Sequence, residues 1–195
     1  MQDLSDDELM RLSGAGDEKA FASLVARHLG RAGNIARRVV GSRAEAEDMV
    51  QEAFLRVWLK AGAWRPEADG GAKFSTWFYR VLMNLCIDRT RRVTPAPLEA
   101  AGDPADDKPD GFDAVASAET TARVRAAVDE LPERQRAALA LCHYEGMSNI
   151  EAAAVLDLTV GAVESLLVRA RRHLREQLAD LETGAQAGAG GKEQA

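Results

Sequence analysis

Apolar side chains recur at helical spacing along most of this chain. Phe21, Leu24, Val25 and Leu29 share one face, and Ile35 and Val39 carry the pattern onward. Val50, Ala53, Phe54, Val57 and Trp58 make an i, i+3, i+4, i+7, i+8 stripe, with Glu47, Asp48, Gln51 and Glu52 on the other side. Ser42, with Glu45 three residues on, predicts the N-cap and capping box of that helix. A Gly/Pro-rich loop over residues 62–72 then precedes a helix expected to start near Ser75. Further along, Pro132 marks a helix start and Gly146 a helix end. Ser148 and Glu151 form a second capping box, opening a short helix to about Leu156. The turn Asp157-Leu158-Thr159 follows, and then a longer helix from Val160 to about Leu181, with Val163, Leu167, Ala170, Leu174 and Leu178 as its core stripe. A short helix, a tight turn and a longer helix are the outline of a helix-turn-helix.

The pattern predicts an all-α protein with two small helical domains. Residues 1–92 form a helical bundle and residues 117–182 the helix-turn-helix unit. Residues 93–116, rich in Pro, Gly and Asp, are expected to be a flexible linker, and residues 183–195 a disordered tail. Aromatics make up only 5% of the chain, which favours helix over sheet. No apolar run approaches the ~18–20 residues that cross a bilayer. The opening MQDLSDDEL lacks the basic flank and apolar stretch of a signal peptide, so a cytoplasmic protein is expected.

The formal net charge of -6 is unusual for a nucleic-acid binder until it is mapped. Between Glu99 and Glu119 lie seven acids (Glu99, Asp103, Asp106, Asp107, Asp110, Asp113, Glu119) and one base, Lys108. That stretch accounts for the whole excess, and elsewhere 24 bases balance 24 acids. Cys86 and Cys142 form no CxxC pair; buried reduced thiols are the plain reading and a redox switch the alternative. His28, His143 and His173 show no zinc-ligand spacing, and no metal or cofactor is expected.

The chemistry concentrates in KFSTWFYRVLMNLCIDRTRR, Lys73 to Arg92. Phe74, Trp77, Phe78 and Tyr79 stand just ahead of Arg80, Asn84, Arg89, Arg91 and Arg92. Unstacked bases stack on aromatic faces, arginines hold phosphates, and an amide such as Asn84 can read a base edge. The same residues also fit a core stripe (Trp77, Phe78, Val81, Leu82, Leu85) ending in a solvated basic turn. Both readings leave some of the aromatics in the core.

EAEDMVQEAFLRVW (Glu45–Trp58), followed by that patch, resembles region 2 of the sigma-70 family, in its compact extracytoplasmic-function (ECF, group IV) branch. LPERQRAALALCHYEGMSNIEAAAVLDLTVGAVESLLVRARRHLREQL (Leu131–Leu178) resembles region 4 of the same branch. The resemblance implies a transcription initiation factor that binds core RNA polymerase at the beta-prime clamp and beta flap, recognises promoter DNA and promotes melting. An anti-sigma partner is implied as well, with no small-molecule substrate and no membrane insertion. Asp48, Gln51 and Glu52 fall at the polymerase-binding positions, where an acidic, amide-bearing face suits a basic partner helix. Phe74, Ser75, Trp77, Tyr79, Arg80, Asn84, Arg89, Arg91 and Arg92 fall on the helix that holds the −10 element, with Asn84 at the position of a flipped base. The preceding loop, Arg65 to Ala72, helps form that base pocket. Ser148, Thr159, Glu164, Ser165, Val168, Arg169, Arg171 and Arg172 face the −35 element.

This chain departs from the family at Glu164 and Leu166, where basic residues are frequent. An acid repels phosphate but accepts a hydrogen bond from cytosine N4, so Glu164 either reads a cytosine or serves as a solvated or helix-capping residue. The acidic linker either mimics nucleic acid against basic channel walls of the polymerase or is a soluble spacer. The competing functional class is a conventional dimeric helix-turn-helix regulator. It has no use for so many arginines beside the aromatic run. An enzyme lacks a motif: the chain has no nucleophile elbow, P-loop or dinucleotide fingerprint.

Overall fold

Local signals in the sequence set most helix ends. The computed structural model describes residues 3–65, 73–92 and 111–179, and within these the side chains from residue 119 onward in the last segment. The elements, in order, are α1 (Asp6–Gly14), α2 (Glu18–Val40), α3 (Arg43–Lys60), α4 (Phe74–Arg92), α5 (Gly111–Asp129), α6 (Glu133–Leu139), a π-helical turn (Ala140–Tyr144), α7 (Asn149–Leu156) and α8 (Val160–Gln177). Among the described residues there is no strand.

Ser5 and Glu8 form a capping box at α1, Ser42 caps α3, and Ser148 with Glu151 repeats the box at α7. Thr159 caps α8 by accepting from the N–H of Ala162. Each cap supplies acceptors to backbone donors that have no partner within the helix. Gly41 (φ 80°) ends α2 in the left-handed conformation that glycine adopts without strain. Asp157 (φ 54°) does the same after α7, a position that Asp tolerates better than most residues.

Helices α1 to α4 pack into one bundle. At its centre His28 is 8% exposed, with Nε2 2.8 Å from Asp6 Oδ2 and Nδ1 3.3 Å from the Tyr79 hydroxyl. The rings of Phe74 and Phe78 lie 5.5 Å from the imidazole, and Phe78 packs 4.8 Å from Phe54. Thus α1, α2 and α4 meet on one side chain. Helix α4 gains its first turn from a distant source: the N–H of Phe74 donates to Asp7 Oδ1 at 2.7 Å. In the C-terminal half, α6, the π turn, α7 and α8 pack round Leu141, Ala152, Val155, Leu156, Val163 and Leu167. One continuous apolar cluster runs from Leu9 to Leu167, so the two halves are in direct contact.

Three expectations are corrected. The stretch 93–116 is not linker throughout, because α5 begins at Gly111; the prolines stop at Pro109 and the Ala-rich run that follows favours helix. Leu29, expected on the core face, is half exposed, while its neighbour His28 is buried. Trp58 is 38% exposed and seals the bundle edge by packing edge-on against Phe21 at 5.0 Å. The tail from residue 180 on lies outside the described residues.

Gly14, the last residue of α1, approaches the turn after α3 so closely that a Cβ would sit 2.4 Å from the carbonyl oxygen of Ala61. Backbone is the obstacle, and backbone moves reluctantly. Gly14→Ala is therefore expected to destabilise by about 1–3 kcal/mol in urea unfolding. A gain near the ~1 kcal/mol of ordinary helix propensity would show instead that α1 shifts freely.

Candidate polymerase and nucleic-acid interfaces

Three surfaces carry the residues singled out by sequence. The first is the outer face of α3. Asp48 and Gln51 are exposed and Glu52 partly so, with Glu52 Oε1 held by Arg56 Nε at 2.9 Å. The same face continues into Leu55, 50% exposed, and Leu59, 72% exposed. These two leucines were missed by the periodicity argument, which asked only what is buried. Their signal was the i+4 step from Gln51 through Leu55 to Leu59 on the polar side of the helix. The result is an acidic patch running into an apolar one.

The second surface is α4, and here the aromatic reading needs correction. Phe74 is 0% exposed, Tyr79 2% and Trp77 7%; Phe74 stacks on Phe78 at 5.8 Å, and Lys60 Nζ lies 5.4 Å from the Trp77 ring centroid. Rings packed in this way offer no free face to a base. Burial also pushes the Tyr79 hydroxyl up to about 12, despite Arg31 nearby. The polar residues of α4 do stay outside: Asn84, Arg89, Arg91 and Arg92 are exposed, and Ser75 and Arg80 are partly exposed. Several of those arginines have partners. Arg80 donates through Nε and Nη2 to the carbonyl of Ala154 at 3.1 and 2.8 Å. Arg89 pairs with Glu45 at 2.8 Å and Arg91 with Glu133 at 2.8 Å. The hydrogen bond from Arg91 holds the Glu133 carboxyl below the usual carboxylate range.

Of the loop expected beside this helix, Arg65 is described, and residues 66–72 lie outside the described residues. Next to Arg65, Trp64 is 4% exposed and its indole N–H is buried with no hydrogen-bond partner among the described residues.

The third surface is α8. Glu164, Ser165, Val168, Arg169, Arg171 and Arg172 are exposed along it, with Ser148 and Thr159 at the starts of α7 and α8. Val163, Leu167 and Ala170 are buried on the opposite face, as the stripe requires. Ser148, Thr159 and Ser165 spend their hydroxyls locally, on Glu151, on the Ala162 N–H and on the Gly161 carbonyl. Glu164 Oε1 accepts from Asn149 Nδ2 at 3.5 Å. This contact ties the carboxylate to the first helix of the helix-turn-helix.

Known families match the two halves in the same order. The Sigma-70 region 2 family matches residues 24–94 and the Sigma-70 region 4 family matches residues 121–174. The chain is 34% identical over 177 residues to the ECF RNA polymerase sigma factor SigW of Bacillus subtilis, covering 85% of this chain and 92% of that one. The chain belongs to the ECF branch of the sigma-70 family. SigM of Mycobacterium tuberculosis is likewise 34% identical, over 180 residues, 92% of this chain and 88% of that protein. Among solved structures, CnrH in complex with the cytosolic domain of CnrY superposes with a TM-score of 0.67 at 28% identity, covering 90% of this chain and 97% of that one. The region 2 match spans most of α2 through α4, and the region 4 match runs from within α5 to within α8. Sigma activity in transcription initiation follows, and a conventional dimeric regulator is not favoured.

At both cysteines burial outweighs any activating neighbour. Burial pushes the Cys86 thiol up to about 12, and burial also raises Cys142, with Arg171 opposing. In the native chain near pH 8, Cys142, which is only partly buried, is expected to take a thiol-reactive dye while Cys86 stays unmodified until urea is added. Equal labelling of both in the folded state would contradict that assignment.

Proposed function

We propose that this sigma factor binds core RNA polymerase through α3, captures the −10 strand with α4 and holds the −35 duplex with α8. It acts by binding, not by covalent chemistry, in the bacterial cytoplasm where its polymerase works. The observation that carries the reading is the exposure of three distinct polar faces on the two matched regions, in the order the family uses them.

On α3, Asp48, Gln51 and Glu52 supply charge and hydrogen bonds toward a basic helix of the clamp. Leu55 and Leu59 supply the apolar anchor that such interfaces concentrate at their centre. On α4, Asn84 reads a base edge while Arg80, Arg89, Arg91 and Arg92 neutralise phosphate; Phe74, Trp77 and Tyr79 support the helix from within. On α8, Arg169, Arg171 and Arg172 contact the duplex, and Glu164, steadied by Asn149, accepts from cytosine. Relatives include the sigma factor CnrH, solved in complex with the cytosolic domain of CnrY. That supports an anti-sigma partner here, bound across the two regions.

The decisive experiment adds the purified chain to core polymerase and sequences the 5′ ends of the transcripts. Shared upstream bases at two spaced positions are expected; no gain in specific initiation overturns the reading. Within that assay, Asp48→Arg is expected to weaken polymerase binding at least tenfold, about 1.4 kcal/mol, without altering thermal stability. Glu164→Gln is expected to relax preference at one −35 position, at about 1–3 kcal/mol. An unchanged base preference would return Glu164 to the solvated alternative.

A further inference from the structure

Away from the three assigned faces, the end of α2, the C-terminal part of α5 and Tyr144 line a cleft of about 220 Å³. Its charged lining is three guanidiniums, Arg37, Arg38 and Arg125, against one carboxylate, Asp129. Several arginines elsewhere are spent on acids: Arg31 on Glu145, Arg89 on Glu45, Arg91 on Glu133. Among the described residues, none of the three cleft arginines forms an ion pair within 4.0 Å. Asp129 does little to cancel them. Its Oδ1 lies 3.8 Å from Nη1 of the buried Arg136, and burial raises its carboxyl above the ordinary value despite Arg136 and Arg125. Arg38 is already posed. Its guanidinium carbon lies 3.7 Å from the centroid of the Tyr144 ring, so stacking uses the face of the group and leaves the N–H donors at its edge. The helix dipole accounts for Arg37 and Arg38, in the last turn of α2, but not for Arg125, since α5 has no basic residue in its last turn. Val124 and Val128 supply apolar wall, which lowers the local dielectric and strengthens the pull on a charge.

We propose that this cleft binds a polyphosphate anion, either free pyrophosphate or the phosphate chain of a nucleotide. Positive charge gathered in so small a volume calls for a compact ligand with several negative charges. Sites for drug-sized ligands run to ~300–1,000 Å³. A cleft of about 220 Å³ therefore holds the phosphate chain and leaves any nucleoside outside. A terminal phosphate carries about −1.5 to −2 charges near pH 7, whereas a phosphodiester strand offers one charge per phosphate. Arg37 and Arg38 grip the anion from α2 and Arg125 from α5, each fork matching a pair of phosphate oxygens. The Thr121 hydroxyl adds a neutral donor. The bound anion thereby ties α5 to α2. None of these residues is assigned to polymerase or promoter, so the inference stands apart from the promoter reading.

The test titrates the full chain with inorganic pyrophosphate in a calorimeter, without divalent metal. Saturable binding of one pyrophosphate per chain is expected, together with a higher melting midpoint. Heat that never saturates, or that sulfate of equal ionic strength reproduces, overturns the proposal. Arg37→Gln and Arg125→Gln are each expected to weaken binding about tenfold, the loss of one charge-assisted contact. Tyr144→Leu, which removes the stacking platform, weakens it as well, and Tyr144→Phe, which keeps it, does not. Arg175→Gln, an exposed arginine of α8, is the control for net charge; an equal loss there also overturns the site. Losses from variants on two different helices, with unchanged circular dichroism, exclude a folding defect. Guanosine triphosphate titrated alongside separates the sources: tighter binding than pyrophosphate assigns the site to a nucleotide, and equal or weaker binding assigns it to the phosphate chain alone. If duplex DNA binds through the same arginines while pyrophosphate does not, the cleft is a DNA contact and the proposal falls.

Discussion

The packing of the Phe74–Tyr79 run against His28 is the contact from which the rest of region 2 takes its geometry. Each large ring buried there contributes about 1.5–3 kcal/mol, and His28 carries a hydrogen-bond partner on both ring nitrogens, Asp6 and Tyr79. Asp6 pins α1, and its neighbour Asp7 caps α4. With the aromatic side of α4 fixed inward, the helical period leaves Arg80, Asn84 and Arg91 no direction but outward. The basic face of α4 is thus a consequence of its core, and substitutions at His28 or Asp6 should be judged by what they do to that face.

How far the sequence revealed this depends on the range of the interaction. Contacts within one or two turns were legible: Ser42, the Ser148–Glu151 box, Gly146 and the first three members of the α8 stripe (Val163, Leu167, Ala170) stand where spacing put them, while Leu174 and Leu178 are only half-buried. Contacts between segments were not. His28 has no local signature, because its role comes from residues 22 and 51 positions away. The Asp7 cap crosses 67 residues, and nothing near Ser75 hints at it. The aromatics of α4 misled for a related reason. Periodicity shows that a helix has an apolar side, but a run of four aromatics spans more than one side, and only the packed partners decide which rings are lost to solvent. On the recognition helix the opposite holds. Val163, Leu167 and Ala170 define a narrow stripe, so the outward set from Glu164 to Arg172 could be read directly.

Charge placement ties the surfaces together. Outside residues 99–119 the chain carries as many acids as bases, and three of the arginines proposed for DNA, Arg80, Arg89 and Arg91, already have acceptors within the protein. Glu45 and Glu133 occupy Arg89 and Arg91 much as phosphates would, and the Ala154 carbonyl occupies Arg80. Such partners shield the basic face from stray nucleic acid, whose nonspecific affinity comes from this kind of charge.

The joint between the two halves combines polar pairs with the continuous apolar core. Its exposed pairs, Arg31–Glu145 and Arg91–Glu133, are of the kind worth roughly 0–1 kcal/mol each in water, and Arg38 over Tyr144 belongs to a class worth about 0.5–2 kcal/mol. A joint built from apolar side chains alone would close more tightly but would expose a sticky surface on opening. Here the polar pairs lie beside the apolar cluster that is continuous across both halves. Only Arg136 is deeply buried in the joint, and it keeps hydrogen bonds to the carbonyls of Asp129 and Leu131 within region 4 itself, so parting from Val39 costs it one acceptor of three.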